Sequence, residues 1–375
     1  MLDLAAEHAA YQAELDAAWQ ATLHEAAYIQ GPAVGAFANE LGACLGGAHV
    51  VPCANGTDAL TLALMSLALP PGTEVIVPAF TYVATLEAAV LLGFKPVLVD
   101  VRPDTFNIDP AAVRAALTPR TGAVVAVHLF GQCADLTELT AICQQTGVAL
   151  IEDNAQALGA TFTFSSGEAA YAGTVGEIGT TSFFPSKNLG CLGDGGALLT
   201  RDASRAQLLH QLANHGQSEK YHHQRVGLNS RLDTLQAALL QVKLRHLPAA
   251  QAARQVNAAR YDAALGTMPQ VQVPTRDQCS THVFHQYTIK VAASQRAALQ
   301  QRLTAKGISS AVYYPLPVHE QSAYTFLCYK MGDFPVAEQL CGQVLSLPVH
   351  PALTEMQVAY VCETVRTFFE DCISA

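Results

Sequence analysis

The chain has 375 residues, enough for a large core and at least two lobes, since single cores stop growing near ~250–300 residues. Only 14% of residues are charged, 50% are hydrophobic and the mean hydropathy is +0.21, a balance that leaves apolar surface for an oligomer. A net charge of −10 without any cluster of Lys and Arg excludes a nucleic-acid partner, which calls for a basic face.

At the N-terminus, "MLDLAAEHAAYQAELDAAW" reads as an acid-bearing helix and lacks the basic start and apolar core of a leader. No run approaches ~18 uncharged apolar residues. The expectation is a cytoplasmic protein with no membrane partner. The ten cysteines form no CxxC pair, and no Cys/His spacing marks a metal site, so neither a zinc centre nor a disulfide framework is expected.

From residue 48 onward, short β-rich runs alternate with helical ones. "AHVVPC", "EVIVPAF", "KPVLVDV", "TGAVVAVHLF" and "VALIED" are separated by "TDALTLALMSLAL", "VATLEAAVLLG", "DPAAVRAAL" and "LTELTAICQQTG". Apolar strands separated by helices of about ten residues predict βαβ units and a mostly parallel sheet covered on both faces. In such sheets ligands collect at the carboxyl ends of the strands. Residues 232–264 read as a long helix carrying Pro248, where the helix is expected to bend or restart. A boundary placed there divides the chain into residues 1–247, a large domain with an N-terminal helical segment, and 248–375, a smaller α/β domain. The smaller part shows a strand at "HQYTIKV", a helix at "SQRAALQQRLTAKG" and another near the C-terminus.

Three loops carry chemistry. After the first strand, "ANGTDAL" sets Gly56 and Thr57 at a helix start, where free N–H groups and the positive dipole end favour a phosphate; capping by Thr57 or Asp58 is the plain alternative. "VALIEDNAQ" ends a buried strand with Glu152 and Asp153, acids that need a partner there, either a heteroaromatic nitrogen or an ordinary ion pair. "TSFFPSKNLGCLGDGGAL" surrounds Lys187 with apolar groups, serines and glycines. A desolvated lysine has its ammonium disfavoured and becomes a nucleophilic amine, a structural lysine being the plain alternative.

Phosphate loop, strand-end acid and lysine occur in this order together with "VPAFTYVAT", "KPVLVDVRPDTFNIDP", "HLFGQCADL", "VGLNSRLDTLQAALL" and "GDFPVAEQL". This set resembles the sugar-nucleotide aminotransferases of the DegT family, α/β enzymes of fold type I that use pyridoxal 5'-phosphate (PLP). The resemblance runs from about Tyr28 to residue 354. It implies that Lys187 holds PLP covalently, that Asp153 pairs with the ring nitrogen, that Gln156 approaches the ring oxygen and that Tyr82 stacks on the ring. It further implies that Gly56, Thr57 and Ser182 hold the phosphate and that Asn229 reaches it from the other subunit of a homodimer. Asn229 as a helix cap is the bland alternative.

The implied reaction moves an amino group from an amino acid donor, L-glutamate, to a nucleotide-linked keto sugar. Within the family the likeness is greatest to members acting on a UDP-linked 2-acetamido-3-oxo-glucuronate, whose 3-amino product serves surface polysaccharide. Tyr28, Ser186, Arg231, Tyr313 and Tyr314 match positions around that substrate. Tyr313 stands where the family commonly has His, and Ala26 and Ala27 stand near a usual Gly. Other readings are amination at C4 of a 4-keto sugar and a non-catalytic PLP or nucleotide-sugar sensor. A dehydratase relative would carry His in place of Lys187.

Overall fold

The computed structural model describes residues 1–374, with side chains to residue 372. Its main sheet has seven strands: β1 His49–Cys53, β2 Glu74–Pro78, β3 Lys95–Val99, β4 Thr121–Val127 and β5 Ala149–Asp153, then, beyond a small hairpin of β6 Thr161–Thr163 and β7 Ala169–Tyr171, β8 Ile178–Ser182 and β9 Gly196–Thr200. The order across the sheet is β1-β9-β8-β5-β4-β2-β3. β3, β2, β4, β5 and β8 run parallel, and β9 runs antiparallel to both of its neighbours. This is the mostly parallel sheet expected from the alternating pattern. Its strands are Val-, Ile- and Leu-rich because helices cover both faces.

The helices Gly56–Ser66 and Ala84–Leu91 pack on one face of the sheet, and Leu136–Thr146 packs on the other. Another hairpin, β10 Gln217–Glu219 with β11 His222–His223, projects from the surface. C-terminal to these, β12 Tyr287–Lys290 and β13 Val344–Leu347 form an antiparallel pair. Together with the helices Ala293–Ala305 and Glu355–Ser374 they enclose a second core containing Tyr261, Phe284, Tyr287 and Phe369. Among the described residues no helix is long and apolar enough to cross a membrane.

The expected restart at Pro248 does not occur. One helix of 32 residues, Thr234–Leu265, runs through it without a break. Pro248 removes a single backbone donor, while Leu244 and Leu247 before it and Ala258, Tyr261 and Leu265 after it are buried on both sides of that turn. The first half packs against the helices Gln12–Glu25 and Pro32–Cys44, and the second against Glu355–Ser374, so one rod joins the two cores.

Candidate active site

Parallel pairing aligns the ends of three strands. Val127 pairs with Asp153 in the register of β4 and β5, and Asp153 with Thr180 in that of β5 and β8. All three open onto a cavity of about 620 Å³ at the carboxyl edge of the sheet, within the range of small-molecule sites, roughly 300–1,000 Å³. Gly56, Thr57, Tyr82, Asp153, Gln156, Ser182, Ser186, Lys187, Tyr313 and Tyr314 all line it.

Strand alternation separates the two acids of β5. Asp153 faces the cavity, where its Oδ2 accepts from the Thr85 hydroxyl at 2.9 Å and its Oδ1 from the Ala155 N–H at 3.2 Å. Glu152 points the other way and is fully buried. It accepts N–H bonds from Gly173, Val175 and Gly176 and meets His128 Nε2 at 2.8 Å. His128 Nδ1 accepts the Ala134 N–H, so the ring proton lies on Nε2 and is donated to Glu152. Burial alone would raise the Glu152 pKa; the His128 and backbone hydrogen bonds outweigh it and hold the carboxyl below its ordinary range. Glu152 braces the sheet edge and takes no part in the cavity.

The loop 183–195 presents Lys187. It folds back on itself through Phe183 N–H to Gly195 O, Cys191 N–H to Phe183 O and Lys187 N–H to Phe184 O, at 2.7–2.8 Å. Among the described residues the Lys187 ammonium has no hydrogen-bond or ion-pair partner. Desolvation lowers its pKa to about 8, although the nearby Asp153 charge pulls the other way. At pH 7 that leaves a minority of free amine, on the order of one chain in ten, far more than an exposed lysine would hold.

The helix Gly56–Ser66 points its N-terminus into the cavity. Its cap is Asn55, which accepts the Asp58 N–H at 2.8 Å, so neither Thr57 nor Asp58 performs the capping considered from the sequence. The start of this helix, with Gly56 and Thr57, and Ser182 at the end of β8 line the same part of the cavity, an arrangement of N–H and hydroxyl groups that suits an anion. Tyr82 is 58% exposed and offers a ring face to the cavity, 6.2 Å from the Tyr314 ring. Gln156 is held by both ends of its amide, Oε1 accepting from Phe130 N–H and Nε2 donating to the Tyr314 hydroxyl.

Sequence reasoning missed Thr85, His285 and Gln286. The last two reach the cavity because Gly131, at φ +112°, lets the turn at Leu129–Gly131 dock on the segment before β12. A Cβ at Gly131 would meet the backbone N atoms of Phe284 and His285 at 2.9–3.0 Å. His285 Nδ1 and Gln286 Oε1 are buried without a partner. Burial, reinforced by the charges of Lys187 and Arg254, pushes the His285 pKa well down, so its imidazole is neutral.

Tyr28, Asn229 and Arg231 do not line the cavity of their own chain. They gather instead at the start of the long helix. Tyr28 O accepts the Thr234 N–H at 2.9 Å, Arg231 donates to the Asn214 side chain at 3.2 Å, and Asn229 is exposed. The residue at the N-cap position of that helix is Asp233, which removes the capping explanation for Asn229.

A sequence profile of the DegT/DnrJ/EryC1/StrS aminotransferase family matches residues 10–366. The chain is 42% identical to the UDP-2-acetamido-2-deoxy-3-oxo-D-glucuronate aminotransferase of Pseudomonas aeruginosa, over 96% of this chain and 98% of the relative. It is 43% identical to the UDP-N-acetyl-3-dehydro-alpha-D-glucosamine 3-aminotransferase of Acidithiobacillus ferrooxidans, over 98% and 96%. Other relatives are named for dTDP- or GDP-linked sugars. The crystal structure of NtdA from Bacillus subtilis with bound cofactor PMP superposes with a TM-score of 0.87 at 30% identity, covering 95% of this chain and 81% of that one. With this fold and these relatives, the chain belongs to the DegT/DnrJ/EryC1/StrS aminotransferase family and is a PLP-dependent sugar aminotransferase of fold type I.

Proposed function

We propose that the chain aminates a UDP-linked 3-oxo sugar of the 2-acetamido-3-oxo-glucuronate type, with L-glutamate as donor. Two of its most similar relatives act on UDP-linked 3-oxo sugars, which supports both the nucleotide and the ketone position. The observation that carries the assignment of residues is one cavity holding a desolvated lysine, a strand-end carboxylate and a helix N-terminus with free N–H groups.

PLP fits this set. The cradle at Gly56, Thr57 and Ser182 suits its phosphate, Asp153 suits a protonated ring nitrogen, the exposed Tyr82 face suits a flat ring, and Lys187 supplies the amine that its aldehyde needs. When bound, PLP supplies an electron-withdrawing ring that takes up the electron pair released at the donor's α-carbon and carries the amino group to the ketone. Lys187 Nζ removes the proton from the donor α-carbon and later delivers a proton to the sugar carbon that receives nitrogen. Asp153 holds a proton on the ring nitrogen through the carboxylate lone pairs not used by Thr85 and Ala155. Gln156 presents its remaining N–H toward the ring oxygen. Tyr313, Tyr314 and Ser186, which also line the cavity, would face the sugar.

The site is completed by a second copy of the chain in a homodimer. Tyr28, Asn229 and Arg231 collect on one exposed edge outside their own cavity, beside the exposed Ile29, and Phe184 and Leu192 expose apolar surface on the lysine loop. Across the interface, Asn229 serves the phosphate, and the planar guanidinium of Arg231 pairs with the sugar carboxylate.

The deciding experiment loads the enzyme with amino groups from L-glutamate and offers 3-keto and 4-keto UDP, dTDP and GDP sugars in parallel. Fastest consumption of the UDP-3-oxo sugar is expected. Preference for a 4-keto-6-deoxy sugar would overturn the assignment in favour of C4 amination, and no spectral change with glutamate would point to a binding protein.

A further inference from the structure

We propose that Thr85 is a positioning residue for transamination, holding Asp153 in the orientation that serves the ring nitrogen; the inference rests on the role of Asp153 given above. Threonines inside helices usually turn their hydroxyl back to a carbonyl four residues earlier. Thr22, Thr61, Thr140, Thr146 and Thr364 of this chain all do so, at 2.5–3.0 Å. Thr85 stands in the first turn of the helix Ala84–Leu91, where residue 81, four earlier, lies outside the helix, and its hydroxyl reaches across to β5, 2.9 Å from Asp153 Oδ2.

The direction of the bonds is fixed by chemistry. An ionised carboxylate only accepts, so the Thr85 proton points to Asp153. The Thr85 oxygen is then free to accept from the Thr81 hydroxyl 3.4 Å away, and the order is Thr81 to Thr85 to Asp153. Thr81, Thr85 and Asp153 are 3%, 1% and 6% exposed, so water does not compete for these bonds. With Oδ2 taken by Thr85 and Oδ1 by the Ala155 N–H, the carboxylate plane is held from both sides and one lone pair on each oxygen is left. The same turn carries Tyr82, so one short segment sets both the carboxylate and the aromatic face.

Thr85→Val keeps the volume and deletes the hydroxyl, Thr85→Ser keeps the hydroxyl, and Thr85→Ala opens space should the valine fail to fold. Loss of a hydrogen bond to a charged group predicts a fall in kcat of about 10- to 100-fold for the Val and Ala variants, in the glutamate half-reaction alone as well as in full turnover. The KM for glutamate should stay within about threefold, because the donor is bound by other groups. The pH titration of the bound cofactor's absorbance band should move in Thr85→Val and Thr85→Ala and stay in place in Thr85→Ser. A PLP analogue with carbon in place of the ring nitrogen separates the two layers of the argument. Loaded with it, wild type and Thr85→Val should be equally slow. A wild type that is undiminished by the analogue removes the role of Asp153 and this inference with it. A slow analogue-loaded wild type alongside PLP-loaded Val and Ala variants of normal kcat and normal titration overturns the Thr85 assignment alone, as does a Ser variant as impaired as valine.

Discussion

Gly56 and Ser182 meet so closely that a methyl group built on Gly56 would lie 2.7 Å from the Ser182 Cβ. The helix N-terminus and the end of β8 are thus pressed together at the proposed phosphate cradle, and only a residue without a side chain fits. Gly56→Ala must push them apart, at a cost of about 1–3 kcal/mol of stability. The expected result is a lower unfolding midpoint and PLP affinity reduced by about tenfold or more in a fluorescence titration of the apoprotein. Unchanged affinity would show that the cradle lies elsewhere.

On the proposed role, Lys187 should set the pH dependence of cofactor capture. With its pKa lowered to about 8, only about one chain in ten holds a free amine at pH 7. The rate of covalent PLP uptake by the apoprotein should therefore rise with pH through 8 and level off above it. Borohydride should fix the label on Lys187, and Lys187→Ala should bind PLP without the covalent band and lose activity by about 100-fold or more. Label mapped to another lysine would refute the assignment.

Glu152 governs stability and leaves the chemistry alone. In Glu152→Gln an amide NH₂ faces backbone donors, and a buried N–H loses its acceptor at a cost of about 1–3 kcal/mol. The folded carboxyl titrates below the unfolded one, so its stabilisation is complete above the ordinary carboxylate range and is lost as pH falls through the folded value. Denaturant melts at pH 7 and pH 4 should show a smaller difference for the variant than for wild type, with near-normal turnover at pH 7.

Subunit sharing has its own test. Lys187→Ala and Asn229→Ala chains, each weak alone, should regain activity toward half of wild type when mixed, because one of the two sites in the mixed dimer receives both intact residues. Mixed dimers that form and stay inactive would confine the site to one chain.

Much of this arrangement was legible in the chain itself. The strand-end rule led to the pair Glu152 and Asp153 and the glycine-rich setting to Lys187, while the family resemblance singled out Asp153 of the two acids. Thr85, His285 and Gln286 left no such mark. Thr85 looks like any helical threonine until β5 is laid beside it, and the other two arrive from more than a hundred residues away through a turn that Gly131 permits. Tyr28, Asn229 and Arg231 were named as site residues, yet one chain alone keeps them outside its cavity. Pro248 did not restart the helix, because local propensity was outweighed by burial on both sides of its turn.

The unbroken helix through Pro248 has a mechanical consequence. It is a strut between two cores, and a strut yields where its cross-bracing is thinnest. Proline has no N–H to give the carbonyl of Leu244, so that one turn lacks a rung. Of all its turns, this one is the least cross-braced between the two cores. Pro248→Ala would restore that rung and stiffen the strut locally.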